Sequence, residues 1–232
     1  MNCFKQMTQV IDLDQYRTAA ERIPISQPIV QEHEVKKPEV NPKLWIEAIS
    51  RSDIQKIYHK ASLDNCPELP LKIVEIGKRW VKSPKKTSLY LHGCTGSGKT
   101  YFSTCLYRAL VEKNYPWIIY KKSDDLDNEL LEAIEYKQEK SKIQMYSEVP
   151  FLFIDDIGVE RLNDRVIRQF YTIIDKRVGN GLITVMTSNL AIHQLPLGDR
   201  ILSRLEHFYS IEFPNTDIRK NIKLCHLLGD GK

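Results

Sequence analysis

The sequence predicts an α/β protein: a parallel sheet flanked by helices, preceded by a flexible N-terminal segment. Three observations carry that prediction. From residue 85 onward, strand-like and helix-like segments alternate, the order that produces right-handed crossovers between parallel strands. The strand-like segments are β-branched and aromatic with little polar alternation, as in strands buried on both faces. One of them runs directly into a glycine-rich loop, LHGCTGSGKT at residues 91–100, from which a helix departs.

Residues 1–42 read differently from the rest. ERIPISQPIVQEHEVKKPEVNP has prolines at 24, 28, 38 and 42, mixed charge and sparse apolar residues, the composition of a linker or disordered segment. VIDLDQYRTAAERI, just before, has the pattern of a short amphipathic helix; it fits a solvated tail and a partner-docking peptide equally well. A folded domain with a helical lead-in and no clear lid is expected over 43–232. Trp45, Ile46, Ile49, Ile54 and Ile57 recur at roughly helical spacing behind Pro42, a favourable helix entry. PLKIVEIGKRWVKS is a second helix, with Leu71, Val74, Trp80 and Val81 apolar.

The alternation then begins. KKTSLYLHG is a strand, KTYFSTCLYRALVEKN a helix, PWIIYKKS a strand, LDNELLEAIEYKQEK a helix and PFLFIDDIG a strand. RVIRQFYTIIDKRVGN comes next as a helix and LITVMTSN as a strand.

Composition bounds the rest. A chain of 232 residues, 42% hydrophobic and 28% charged, suits one domain with an appendage or two small domains. No run approaches the ~20 apolar residues needed to cross a bilayer. The N-terminus MNCFKQMTQVIDLDQY lacks a continuous apolar stretch and shows early acids, unlike a signal or transit peptide; a cytoplasmic protein without membrane contact is expected. The cysteines, Cys3, Cys66, Cys94, Cys105 and Cys225, are odd in number and form no CxxC pair, which points to reduced thiols. A net charge of +4 permits nucleic-acid contact without requiring it.

Gly93, Gly96, Gly98, Lys99 and Thr100 complete the pattern G-x-x-x-x-G-K-[ST], the Walker A phosphate loop, or P-loop. Glycines allow the turns and keep side chains away, so that backbone N–H groups from Gly93, Cys94, Thr95, Gly96, Ser97, Gly98, Lys99 and Thr100 can face phosphate oxygens at a helix N-terminus. Lys99 supplies a cation for the β- and γ-phosphates, and the Thr100 hydroxyl a ligand for Mg²⁺. ATP and Mg²⁺ are therefore the expected cofactors.

FLFIDDIG ends a buried strand in two carboxylates, which are costly there without a cation. Asp155 is read as the Walker B metal ligand and Asp156 as the group that polarises the attacking water, a role more often filled by glutamate. VMTSN ends in Thr187, Ser188 and Asn189; Asn189 can orient that water, or cap the next segment. In GDRILSRLEHF, Arg200 and Arg204 share a helix face. They are solvated, or Arg204 is an arginine finger reaching a neighbouring subunit's nucleotide, which requires self-association.

GCTGSGKT, FLFIDDIG, VMTSN and DRILSRL, in this order, resemble an AAA+ ATPase, and more narrowly the DnaC/DnaI helicase loaders and their relative IstB, the ATP-dependent transposition helper. The resemblance covers roughly residues 50–225. It implies a P-loop NTPase fold, sensor 1 at Asn189, a finger at Arg204 with Arg200 nearby, and a weaker sensor 2 match at Arg219. It implies a replicative DNA helicase and single-stranded DNA as partners, with a transposase as the alternative. The N-terminal segment matches no loader helicase-binding domain and carries no Cys-rich zinc module. The resemblance also implies that, as in initiator-like members of the clade, helices between the second strand and Walker B contact single-stranded DNA; here that interval holds Lys137, Lys140 and Lys142 with Tyr136 and Tyr146, a pattern that suits either a single-strand groove or a solvated helix.

Two other classes compete. A P-loop small-molecule kinase needs an acceptor pocket and a lid, and no lid motif is found. A nucleotide-binding adaptor that hardly hydrolyses ATP is compatible with aspartate rather than glutamate at 156.

Overall fold

The computed structural model describes residues 42–66, 69–84, 87–115, 117–158 and 164–219. The expected N-terminal linker and docking peptide lie outside them. Five parallel strands, β1 (Leu89–His92), β2 (Ile118–Lys122), β3 (Phe151–Ile157), β4 (Ile183–Ser188) and β5 (Tyr209–Glu212), form one sheet in the order β2-β3-β4-β1-β5. Seven α-helices accompany them among the described residues: α1 (Pro42–Ser50), α2 (Leu71–Lys82), α3 (Lys99–Glu112), α4 (Ser123–Glu135), α5 (Glu139–Glu148), α6 (Asp164–Gly179) and α7 (Asp199–Leu205).

Strand side chains alternate between faces, and two cores result. Leu89, Leu91, Phe153 and Val185 join residues of α1, α2 and α3 on one side. Tyr90, Leu152, Ile154 and Met186 join α4, α5, α6 and α7 on the other. Burial on both faces explains why β3 and β4 read as continuous apolar runs. The order also has a consequence for the site. β4 lies between β1 and β3, so its C-terminal tip falls between the glycine loop after β1 and the aspartates of β3.

The structure changes several element boundaries. The first helix stops at Ser50, and Ile54 is buried from the irregular segment that follows, whereas Ile46 and Ile57 are exposed. The helix expected over 126–140 is two helices. Gln138 N–H donates to Ala133 O (2.7 Å) and Lys137 N–H to Ile134 O (3.3 Å), with Lys137 at φ 58. This is a Schellman stop with a lysine in the left-handed position that glycine usually takes.

The split redistributes the candidates for single-strand contact. Tyr146, on α5, is fully buried, and its hydroxyl donates to Glu129 Oε2 (2.6 Å). Lys142 pairs with the same oxygen (2.9 Å), and Lys121 with Glu129 Oε1 (2.5 Å). Burial pushes the Glu129 carboxyl up, but these three donors overcome it and hold it down at about 2. Tyr146 is therefore not available for stacking on a base, and Lys142 is part of an internal ion network. Tyr136 and Lys140 remain exposed.

Candidate active site

The glycine loop folds as a turn between β1 and α3. Gly96 and Gly98 stand at φ 82 and 97, and each is closely covered. A Cβ at Gly98 would come within 2.6 Å of Leu69 Cδ2 and 2.9 Å of Ile218 Cδ1, and one at Gly96 would strike the Asp217 carboxylate. Only glycine fits both the angle and the space. The cover is the segment after β5, where the sequence offers only the weaker match at Arg219: Ile218 N–H donates to Gly96 O (3.0 Å), tying that segment to the loop. Cys94 Sγ reaches Pro214 O (3.6 Å), and the buried Ser97 hydroxyl has no hydrogen-bond partner among the described residues.

Lys99, Thr100, Asp155, Asp156 and Asn189 converge on one cavity of ≈ 300 Å³. Lys99 Nζ donates to Gly93 O (2.9 Å), Cys94 O (2.8 Å) and Asn189 Oδ1 (2.9 Å). Asn189 Nδ2 donates in turn to Asp156 Oδ1 (3.2 Å). One amide thus bridges the loop lysine and the second aspartate. Burial pulls the Lys99 pKa down from the usual lysine value, against the raising effect of Asp156, Cys94 and Asp155.

Asp155 is buried, and two hydroxyls converge on its Oδ1: Thr187 Oγ1 at 2.7 Å and Thr100 Oγ1 at 3.1 Å. Its carboxyl is held above the ordinary range, chiefly by burial and further by Asp156, while the hydroxyls of Thr187 and Thr100 oppose the shift. A buried carboxylate beside a hydroxyl is a hard oxygen pair suited to Mg²⁺, whose octahedral ligands at about 2.0–2.1 Å stand about 2.9 Å apart. The 3.1 Å separation of Thr100 Oγ1 and Asp155 Oδ1 is close to that. Among the described residues no cluster of three His, Cys, Asp or Glu side chains could hold a metal by itself, so the remaining ligands would come from phosphate and water.

Asp156 is exposed at φ 63, in the left-handed region. The β3–β4 register explains why. Ile154 pairs with Met186, but Ile157 pairs with Ser188, so β3 carries one extra residue, a β-bulge. Asp155 and Asp156 both lie opposite Thr187. Without the bulge, consecutive aspartates would point to opposite faces of the sheet; with it, Asp156 turns back toward Asn189.

Tyr58 and Asp53 are among the further residues that line the cavity and to which the sequence assigns no role. Burial, then the Asp155 carboxylate, pushes the Tyr58 phenol up. No short motif marks either residue. Arg219 also lines the cavity and hydrogen-bonds Asp217 through Nε (3.1 Å). Arg204 does not line it. Its Nε donates to Asp175 Oδ1 on α6 (2.7 Å), and its guanidinium lies 5.9 Å from the Tyr171 ring centre. Arg200 is exposed on α7.

Comparison with known proteins bears on the fold and the family. The replicative helicase loader DnaI of Bacillus subtilis is 28% identical over 125 residues, 53% of this chain and 40% of that protein. The chromosomal replication initiator protein DnaA of Lactiplantibacillus plantarum is 26% identical over 144 residues, 61% of this chain and 32% of that protein. A crystal structure of DnaI superposes with a TM-score of 0.60 at 26% identity, covering 70% of this chain and 96% of that one. The chain thus spans less than half the length of the curated relatives it matches. The P-loop NTPase fold and the AAA+ resemblance to the DnaC/DnaI and IstB group hold. The model of the IstB-like ATP binding protein family matches residues 59–217, well over half the sequence, and the chain belongs to that family.

Proposed function

We propose that this protein is an ATP-dependent helicase loader of DNA replication, acting in the cytoplasm, which binds a replicative helicase and single-stranded DNA and uses ATP binding and hydrolysis as a switch. The observation that carries the switch is the unbroken hydrogen-bonded path Lys99–Asn189–Asp156, lying beside the Thr100–Asp155–Thr187 group. Phosphate would draw Lys99 from its carbonyl acceptors, and Asn189 passes that change to Asp156. In this reading Lys99 and the loop amides hold the phosphates. Thr100 and Asp155 hold Mg²⁺, which supplies charge neutralisation at the phosphates. Asp156 and Asn189 position the attacking water.

Arg204 does not line its own chain's cavity and is assigned to the nucleotide of a neighbouring copy, so that self-association completes the site. Residues 1–42 are assigned to the helicase. The DnaI relative supports the loader reading. The match to the IstB-like family favours a second reading, the same ATPase coupled to a transposase.

Co-purification with a replicative helicase in ATP, with and without residues 1–42, separates the readings. Capture of the helicase, lost on deletion, supports the loader; capture of a transposase instead overturns it. Arg204→Ala is expected to keep ATP affinity and to lower turnover by about 10³-fold or more. Unchanged turnover in a steady-state phosphate-release assay would remove the finger assignment.

A further inference from the structure

We propose that Thr187 is a positioning residue for ATP hydrolysis: its single hydroxyl sets the metal-binding aspartate and the water-polarising aspartate relative to each other. This role rests on the reading of the site as an ATPase and adds to it a residue of the VMTSN motif to which the sequence assigns no role.

At the bulge, β3 presents two residues, Asp155 and Asp156, opposite one residue of β4. The regular ladder is interrupted there, and one backbone N–H lacks its strand partner. That N–H belongs to Asp156, and Thr187 Oγ1 accepts it at 2.8 Å. The same oxygen donates its only proton to Asp155 Oδ1 at 2.7 Å. A hydroxyl has one donor and two acceptor lone pairs, so giving the proton to a carboxylate leaves only lone pairs for the amide. Both hydrogen bonds therefore have a fixed direction. Thr187 is 1% exposed, so its hydroxyl is out of reach of bulk water.

The next residue completes the clamp. Ser188 Oγ donates to Ile157 O (2.6 Å) and accepts from Leu190 N–H (3.0 Å). The left-handed Asp156 thus stands between a hydroxyl holding its own N–H and another holding the following carbonyl. Backbone in that region persists for a non-glycine residue only where its surroundings impose it. The consequence is geometric: Asp155 stays turned with Oδ1 toward Thr100, and Asp156 stays turned toward Asn189.

The test compares Thr187→Val, which keeps the shape and removes the hydroxyl, with Thr187→Ser, which keeps the hydroxyl. Loss of a group that orients a metal ligand lowers activity by about 10- to 100-fold, and Thr187→Val is expected to show that loss mainly in kcat, with a smaller rise in KM for ATP. Thr187→Ser is expected to restore kcat. Two readouts do not need turnover. The Asp156 amide should exchange with deuterium faster in Thr187→Val than in wild type or Thr187→Ser, in protein without nucleotide. The gain in affinity for a fluorescent ATP analogue on adding Mg²⁺ should shrink in Thr187→Val alone.

Unchanged kcat in Thr187→Val overturns the proposal, as does a serine variant no better than valine. A loss confined to KM or tracking a drop in the urea midpoint also overturns it. Absence of turnover in the wild type would instead overturn the ATPase reading. The positioning role would then stand on amide exchange and on the Mg²⁺-dependent affinity, and would fall if both were unaltered by valine.

Discussion

Asp155→Asn is expected to abolish most ATP hydrolysis while raising the melting temperature of the metal-free protein at pH 8. The two effects have one cause. Asp155 is buried, and its carboxyl is held above the ordinary range mainly by that burial. Asparagine keeps a carbonyl oxygen for the hydroxyls of Thr187 and Thr100 but presents an uncharged amide to a divalent cation. A metal's charge is worth several kcal/mol at a phosphoryl transition state, so its loss corresponds to roughly 10²- to 10³-fold in rate.

The stability effect comes from the sign of the shift. The folded state binds the Asp155 proton more tightly than the unfolded chain does, so its contribution to stability is most favourable below the unfolded value of 3.8. It is lost as pH rises through the folded value. The deficit of the wild type therefore grows as pH rises toward 8, and asparagine, uncharged throughout, carries none. Melts in chelator at several pH values should show the variant above the wild type at pH 8, with the gap closing toward about pH 4. A variant that hydrolyses ATP at the wild-type rate would remove the metal-binding role. A variant that melts lower at pH 8 would show that the carboxylate stabilises the fold.

The contrast between Asp155 and Thr187 shows what could be read from the sequence. The glycine loop and the acidic strand end were legible because their chemistry is local: glycines needed at fixed offsets, and carboxylates placed where an apolar strand stops. Four of the five strands were legible because burial removes polar alternation, whereas β5, exposed at three of its four residues, carries no such signal and was not foreseen. The sheet order was not, since nothing in a strand's composition says which neighbour it pairs with, and it is the insertion of β4 between β1 and β3 that brings Asn189 to Lys99. The bulge was equally hidden. One extra residue in β3 decides that Asp155 and Asp156 serve one site, and it shows only in the β3–β4 register.

Helix ends divide the same way. Asn114 and Gly181 adopt positive φ after α3 and α6, as their residue types suggest. Lys137 does so after α4 with no such signal. The sequence therefore reads as helix through that point, and Tyr146 and Lys142 fall among the candidates for DNA contact although they belong to the interior network around Glu129.

Arg177→Met should destabilise the fold by roughly 3–5 kcal/mol, the range for removing one member of a buried charged network. Arg177 is fully buried, and no carboxylate pairs with it in the described hydrogen bonds. Burial pulls its pKa down, to about 9, so it is still charged at neutral pH. Its partners are oxygens without formal charge: Nη1 donates to Tyr146 O (2.8 Å) and Val149 O (2.7 Å), Nη2 to Ile183 O (2.5 Å) and Nε to Thr184 Oγ1 (2.9 Å). Tyr146 lies in the last turn of α5, where carbonyls lack intrahelical partners and the helix dipole is negative. One guanidinium thus caps α5, the entry to β3 and the entry to β4.

Methionine fills much of the volume but leaves those carbonyls buried without donors. Lysine restores the charge but lacks the planar fork that reaches in three directions, so Arg177→Lys should recover only part of the loss. Urea unfolding should report a lower midpoint with little change in slope. Because this cluster sits at the N-terminal ends of β3 and β4, opposite the rim that holds Lys99 and Asp155, the variant should bind nucleotide with wild-type affinity at temperatures where it remains folded. A midpoint equal to wild type would mean that water or a shifted side chain satisfies the carbonyls. Weakened nucleotide binding in the folded variant would mean that the two rims are mechanically coupled through β3 and β4.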